Sequence, residues 1–122
     1  MELGRKITGG KYHAHRKKRL CDKRGQSRIV KLGEAKTKKI RTLGGADKVV
    51  SLSGNYANVI KDGKAKKAKI KNVIETPSNR FFARQNVIVR GAIIETEIGN
   101  ARVTNRPSQE GIIQAVIIND KD

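Results

Sequence analysis

The pattern of apolar and polar positions divides the chain near residue 38. Residues 1–38 show no sustained period of two or of 3.6, and Ile29, Val30 and Leu32 form their one small apolar cluster. From Lys39 onward, short apolar runs alternate with turn residues at intervals of about ten residues. We therefore predict an extended or irregular segment over residues 1–38 and a folded body over residues 39–122.

The body is predicted to consist of short strands. They cover residues 40–43, 48–52, 56–60 and 66–75, then 87–98 as one long strand or two strands bent at Gly91, then 101–104 and 111–119. Gly44-Gly45, Asp62-Gly63 and Gly99-Asn100 mark turns between them, and Asp-Gly tolerates the positive φ of a tight hairpin. Six to eight such strands predict a mainly β fold, a small antiparallel β-barrel or sandwich with an extended basic N-terminal arm.

Two segments of the body carry more specific expectations. Ser78 is expected to cap one or two helical turns that end at Arg84, with Phe81 or Phe82 plugging the end of the core. The segment Gly111–Asn119 is apolar nearly throughout, which predicts a central strand buried on both faces.

The charge of the chain carries information about its function. The chain has 28 lysines and arginines against 11 acids, a net charge of +17, and residues 1–42 hold 15 of these cations and 3 of these acids. Such an excess destabilises a compact chain unless a polyanion neutralises it. Nucleic acid, an anionic membrane and an acidic protein are the candidate partners. The sequence has neither a bilayer-spanning apolar stretch nor a signal-peptide run, so we expect no membrane partner.

The strongest cationic signal is the run Arg16-Lys17-Lys18-Arg19 with Lys23 and Arg24. Each phosphate that such a run neutralises releases counterions, which gives large, salt-sensitive affinity. The alternative is a nuclear-localisation-like or merely solvated run. We favour nucleic acid because the whole segment is cationic.

The step Thr8-Gly9-Gly10 stands between Arg5-Lys6 and Lys11. Glycine at this place lets backbone N–H groups approach a phosphate that the flanking cations neutralise. The alternative is a flexible arm with ordinary glycines. A P-loop is excluded because the Lys-Ser/Thr pair is missing.

A second cationic cluster lies in the body. Ala68 and Ile70 alternate with Lys67, Lys69 and Lys71, the pattern of a strand with one side on a core and one side in water. Lys64, Lys66 and Arg80 add to the local charge. The cluster is either a solvated edge strand or a second phosphate-binding surface, and we predict the second.

Candidate chemistry is otherwise sparse. His13, His15 and Cys21 lack a fourth ligand and match no common zinc spacing, so we predict no metal site and no cofactor. We expect the histidines to contact nucleic acid and Cys21 to fill a small apolar gap. A single cysteine excludes an internal disulfide and fits a reducing cytosol. The acids of the body are scattered, so we predict neither an enzyme nor a small-molecule substrate. Four aromatic residues argue against recognition by base stacking.

Three blocks together resemble a known family. They are Arg5-Lys6-Ile7-Thr8-Gly9-Gly10-Lys11 followed by His15-Arg16-Lys17-Lys18-Arg19, then Lys39-Ile40-Arg41 leading to Gly44-Gly45, then residues 70–73 followed by Thr76-Pro77-Ser78-Asn79. Their order and spacing resemble the archaeal and eukaryotic small-subunit ribosomal protein family S8e, in its compact archaeal form.

This resemblance implies a structural component of the small ribosomal subunit in the cytoplasm, without enzymatic activity. The implied partners are small-subunit rRNA and neighbouring ribosomal proteins. The resemblance also implies that the basic residues of the first two blocks contact rRNA. With the two clusters above, the predicted RNA-binding residues are Arg5, Lys6, Thr8, Gly9, Gly10, Lys11, His13, His15, Arg16, Lys17, Lys18, Arg19, Lys23, Arg24, Lys39, Arg41, Lys64, Lys66, Lys67, Lys69, Lys71 and Arg80. The alternatives from other classes are a free-standing RNA-processing factor and a DNA-compacting protein.

Overall fold

A computed structural model describes residues 4–13, 16–17, 19–22, 25 and 27–118. Within these residues the strands are β1 (Lys31–Leu32), β2 (Lys36–Arg41), β3 (Asp47–Gly54), β4 (Tyr56–Lys61), β5 (Lys64–Glu75), β6 (Ile93–Thr96), β7 (Gly99–Val103) and β8 (Gln114–Ile117). The helices are α1 (Arg80–Arg84) and two 3-10 turns at Leu20–Asp22 and Leu43–Gly45. The predicted mainly β fold is confirmed.

Strands β4 to β8 form a closed barrel in chain order. Neighbours along the chain pair antiparallel. Tight turns join β4 to β5 and β6 to β7, whereas longer connections join β5 to β6, through α1, and β7 to β8. The barrel closes through a parallel pairing of β4 with β8, in which Val59 lies opposite Ala115. Because the ring is complete, these strands leave no open edge for another chain to pair with.

The remaining strands form a second sheet beside the barrel, in the order β1-β3-β2. Strand β3 pairs antiparallel with β2 and parallel with β1. Backbone hydrogen bonds tie this sheet to the barrel region: the Ser51 N–H donates to Pro107 O at 3.0 Å, and the Leu32 N–H donates to Asn86 O at 2.9 Å. The sheet therefore carries the end of the basic segment onto the folded body.

The core fills the barrel interior with alternate residues of its strands. Small side chains accompany branched ones, as a narrow barrel requires. The buried set is Ala57, Val59, Ala68, Ile70, Val73, Ile88, Ala92, Ile94, Ala101, Val103, Ile113 and Ala115. Every second residue of these strands consequently points outward and is available for charge.

The final strand differs from its prediction. It is shorter than predicted, Gln114–Ile117, and alternates between buried and exposed positions. Ile112 is 49% exposed and Val116 is 41% exposed, so the segment is not buried on both faces. The reason is the closed barrel, whose strands have only one interior face.

The segment 87–98 is mostly not a strand. Val87 makes only an isolated bridge with Lys31, and regular pairing begins at Ile93. The predicted bend at Gly91 is present as a turn with positive φ. The next hairpin turns two residues earlier than predicted, because Thr96 pairs with Gly99 and leaves Glu97 and Ile98 at the tip.

The helix α1 begins with a different cap from the predicted Ser78. The Asn79 side chain accepts a hydrogen bond from the Phe81 N–H at 3.0 Å, and the Asn79 backbone is extended, as an N-cap residue requires. Phe81 is 59% exposed, and Phe82 is half-buried, so neither phenylalanine is a fully buried plug. The Asn79 N–H donates to Thr76 O at 3.1 Å, which closes a turn over residues 76–79 and places Asn79, not Ser78, directly before the helix.

This assignment predicts a difference between two neighbouring substitutions. Asn79→Ala removes the cap and should lower the free energy of unfolding by about 1 kcal/mol. Ser78→Ala, the matched control, should change it by less than about 0.5 kcal/mol. Urea unfolding followed by circular dichroism measures both. Equal effects of the two substitutions would contradict the cap assignment.

Candidate nucleic-acid interface

The N-terminal motif forms a tight hairpin. The Gly9 N–H donates to Lys6 O, and the Lys6 N–H donates to Gly10 O, both at 2.9 Å, while Arg5 bridges to Lys11 across the two arms. Gly9 has φ +82°, the left-handed conformation that follows the turn in a three-residue hairpin. The glycine step therefore has a local structural role. It forms the turn around which four exposed side chains lie, those of Arg5, Lys6, Thr8 and Lys11.

Further contacts hold this hairpin. The Arg5 guanidinium donates to Gly9 O at 3.3 Å, and the Lys6 ammonium lies 5.6 Å from the centre of the Tyr12 ring. All described residues from Gly4 to His13 are exposed. Whether the backbone at Thr8-Gly9-Gly10 meets a phosphate stays a prediction.

The run that follows the hairpin is described in part. His15, Lys18, Lys23 and Arg24 lie outside the described residues. Arg16 forms an ion pair with Asp22 at 2.7 Å, and the Arg19 N–H also donates to that carboxylate.

The described remainder of this run lies in solvent. Lys17 and Arg19 are exposed. Cys21 is exposed too, so its prediction as a buried filler is wrong: the 3-10 turn at Leu20–Asp22 has no buried residue to pack with it.

The second block of predicted cations lies on β2, an outer strand of the three-stranded sheet. Lys39 forms an ion pair with Asp47 at 2.7 Å, and both side chains are exposed. Arg41 lies opposite Asp47 in the register. An exposed ion pair of this kind contributes little stability, so it leaves Lys39 free to exchange its partner for a phosphate.

The lysines of β5 separate into two groups. Lys67, Lys69 and Lys71 alternate with the buried Ala68 and Ile70, which confirms the predicted half-buried strand. This outward set is called the lysine row below. Lys64 and Lys66, with Lys61 and Asp62, line a groove of about 350 Å³ at the β4–β5 hairpin. The predicted cluster therefore covers both a face and an end of the barrel.

Neighbouring side chains contact the lysine row at both ends. The Lys67 ammonium lies 4.7 Å from the centre of the Tyr56 ring, a cation–π distance, and Tyr56 is 47% exposed. Lys71 approaches Glu95 at 4.0 Å. Arg80 begins helix α1 and is exposed.

The balance of charges on the described surface is strongly one-sided. Every described lysine and arginine is exposed except the half-buried Lys48, which donates to the Gln109 side chain. Ion pairs between described residues number three, at Asp22, Asp47 and Glu95. Most described cations thus face water without an acidic partner, as expected of a surface that a polyanion neutralises.

Sequence analysis overlooked two features of this surface. Arg28 anchors the end of the basic segment, because its Nε donates to Ser108 O at 3.2 Å, and only the fold brings these residues together. Arg102 and Arg106 lie with Arg90 around one cleft. The outward position of Arg102 between buried Ala101 and Val103 was the available signal.

Two negative observations concern the described residues only. Among them, no group of three or more His, Cys, Asp or Glu side chains is arranged to hold a metal ion. Within the same ranges, no helix has the length and apolar character needed to cross a bilayer.

These features define a class: a small cationic β-barrel protein with a basic N-terminal segment, suited to a polyanionic partner. Comparison with known proteins makes the class specific. The family model for ribosomal protein S8e matches residues 2–118. The chain belongs to this family of ribosomal proteins, which confirms the resemblance seen in the sequence.

Two archaeal relatives illustrate the similarity. The small ribosomal subunit protein eS8 of Methanococcus aeolicus is 44% identical over 119 residues, which cover 95% of this chain and 93% of the relative. The protein of the same name from Methanocorpusculum labreanum is 44% identical over 117 residues, 93% of each chain. The similarity thus extends over the basic segment and the barrel together.

The geometry of the N-terminal hairpin predicts the effect of one substitution. Nothing lies within 4 Å of a Cβ added to Gly9, so Gly9→Ala acts only through its φ of +82°. The left-handed conformation costs about 1–2 kcal/mol for such a residue, a roughly 5- to 30-fold loss of hairpin population. Nuclear Overhauser contacts between Arg5 and Lys11 should weaken accordingly. Gly10→Ala, without a positive φ, should retain them, and equal loss in both variants would contradict the turn assignment.

Proposed function

We propose that this chain is a structural, non-enzymatic constituent of the small ribosomal subunit in the cytoplasmic ribosome, and that it binds small-subunit rRNA. Family membership and the names of the relatives support the place of action. The observation that carries the RNA-binding part is the exposed, largely unpaired set of cations on the described surface. Neighbouring ribosomal proteins are the remaining partners.

The basic segment is the first contact surface in this proposal. Every described residue before Val30 is exposed, whereas Val30 itself is 1% exposed and buried. This burial supports an arm that ends at Ile29 and a body that begins at Val30, earlier than the predicted boundary at residue 38. The arm has too few apolar residues to fold on itself. In this proposal it lies along RNA, and the contacts with RNA order it.

The barrel supplies the second contact surface. The lysine row and the groove at Lys64 and Lys66 present positive charge on β5, whose buried residues belong to the core, and Arg80 adds a cation at the start of α1. A lysine ammonium is a point charge on a flexible stem, so these residues neutralise phosphates without demanding one geometry. The barrel thereby orients the arm and adds affinity of its own.

Recognition in this proposal depends on shape and backbone. A-form RNA hides its base edges in a deep, narrow major groove, so proteins contact its phosphates and riboses. The predicted RNA-binding residues are mostly lysine and arginine, which suits phosphates. Discrimination of rRNA from duplex DNA then follows from the positions of phosphates in folded RNA.

Competition binding tests this function. The full-length chain should bind a small-subunit rRNA transcript, and unlabelled duplex DNA should compete at least about tenfold less well than the transcript. Changing Lys67, Lys69 and Lys71 together to Gln should weaken binding about 10- to 100-fold near 0.1 M salt, because up to three phosphate contacts are lost.

A matched variant controls for fold and charge. The same three lysines changed to Arg keep the charge and should bind within about twofold of the unaltered chain. Duplex DNA competing as well as rRNA would contradict the proposal and favour a DNA-compacting protein. Equal binding by the Gln and Arg variants would remove the lysine row from the interface.

A further inference from the structure

A further cationic site lies beyond the C-terminal end of β5, whereas the groove at Lys64 and Lys66 lies at the N-terminal end of that strand. It is a cleft of about 750 Å³ that three separate segments of the barrel line. Its lining residues are Pro77, Ser78, Arg90, Gly91, Arg102, Val103, Thr104 and Arg106. Strand β5 has 12 residues, about 40 Å at full extension, so this arginine cleft is distinct from the lysine groove.

Backbone hydrogen bonds fix the first two arginines next to each other. Arg90 lies in a turn that the Ala92 N–H closes onto Val89 O at 3.1 Å, with Gly91 at φ +83°. The Gly91 N–H donates to Val103 O at 2.8 Å, and the Val103 N–H donates to Ala92 O at 2.9 Å. This pair of bonds ties the turn to β7 and holds Arg90 beside the outward Arg102.

The third arginine lies in a loop that is equally well fixed. The Gln109 and Glu110 N–H groups donate to Arg106 O at 2.9 and 3.0 Å. The Asn105 amide donates to the Glu110 carboxylate at 2.8 Å and accepts from the Gln114 N–H at 3.0 Å. Glu110, the acid of this loop, is therefore engaged by Asn105.

The three guanidinium groups have no hydrogen-bond or ion-pair partner among the described residues. Arg16 and Arg28, by contrast, have Asp22 and Ser108 as partners. Like charges that share a concave surface repel one another, and a dianionic or polyanionic ligand relieves this repulsion. The arrangement is therefore that of an anion-binding site whose counter-charge comes from outside the barrel.

We propose that the arginine cleft binds consecutive phosphates of an RNA backbone, a proposal that rests on the function proposed above. A guanidinium forms two parallel hydrogen bonds to one phosphate, which adds a geometric requirement that lysine lacks. The Ser78 hydroxyl at the rim is a further donor. None of the described residues that line the cleft is aromatic, so the cleft suits the backbone and not a stacked base.

The position of the cleft favours RNA over an acidic protein segment. Arg106 and Ser108 belong to one loop, and Ser108 accepts the hydrogen bond from Arg28 at the end of the arm. In this proposal a nucleic-acid strand that follows the arm reaches this loop at Ser108 and continues to the arginines of the cleft.

The test keeps the charge of the three side chains and removes the guanidinium geometry, in the full-length chain. Arg90, Arg102 and Arg106 are changed together to Lys, and binding to the small-subunit rRNA transcript is measured with phosphate-ethylation interference. We expect about a tenfold weaker Kd with an unchanged salt slope, and the loss of interference at two or three phosphates. Arg84→Lys, an exposed arginine of α1 outside the cleft, should change Kd by less than twofold.

The outcomes separate this proposal from the function it rests on. All three side chains are exposed, so thermal unfolding of the triple variant should match the unaltered chain and exclude misfolding. Failure of the unaltered chain to bind rRNA would overturn both proposals. Binding by the unaltered chain, with Kd and interference unchanged in the triple Lys variant, would overturn this proposal alone.

Discussion

The excess of positive charge is the constraint on which this molecule depends. With a net charge of +17 and ion pairs at only three acids of the described surface, the protein does not neutralise itself. Self-repulsion of this kind lowers the stability of a compact chain, so the folded state must be stable enough to withstand the repulsion before a polyanion binds. The closed barrel tolerates this repulsion because its buried residues are mainly apolar and its charged side chains lie on the outside.

In the barrel, the alternation of apolar and charged residues along a strand places the charged side chains on the outer surface. In β5 the buried Ala68 and Ile70 lock the strand, so Lys67, Lys69 and Lys71 cannot leave the outer face without breaking the core. The same logic holds for Arg102 between Ala101 and Val103 on β7. Barrel closure therefore stabilises the fold and, in our proposal, fixes the spacing of phosphate contacts. The family to which the chain belongs is consistent with that use.

The features that depend on local pattern could be predicted from the sequence. The alternation of β5 and the Asp62-Gly63 hairpin follow from side-chain period and turn chemistry, and the fold class follows from their repetition. The sequence could not decide between neighbouring candidates: Ser78 and Asn79 are both good caps, and the structure shows that the Asn79 side chain accepts the hydrogen bond from the Phe81 N–H. The parallel closure of β4 on β8 and the meeting of the arginines of the cleft depend on contacts between distant segments, which no local pattern encodes.

The salt dependence of rRNA binding tests most directly the claim that RNA phosphates neutralise this surface. If six or more phosphates are contacted, the affinity of the full-length chain for the small-subunit transcript should fall about 10³-fold or more between 50 and 200 mM salt. The logarithm of the binding constant should fall linearly with the logarithm of the salt concentration. An affinity that changes by less than about threefold over this range would contradict the account.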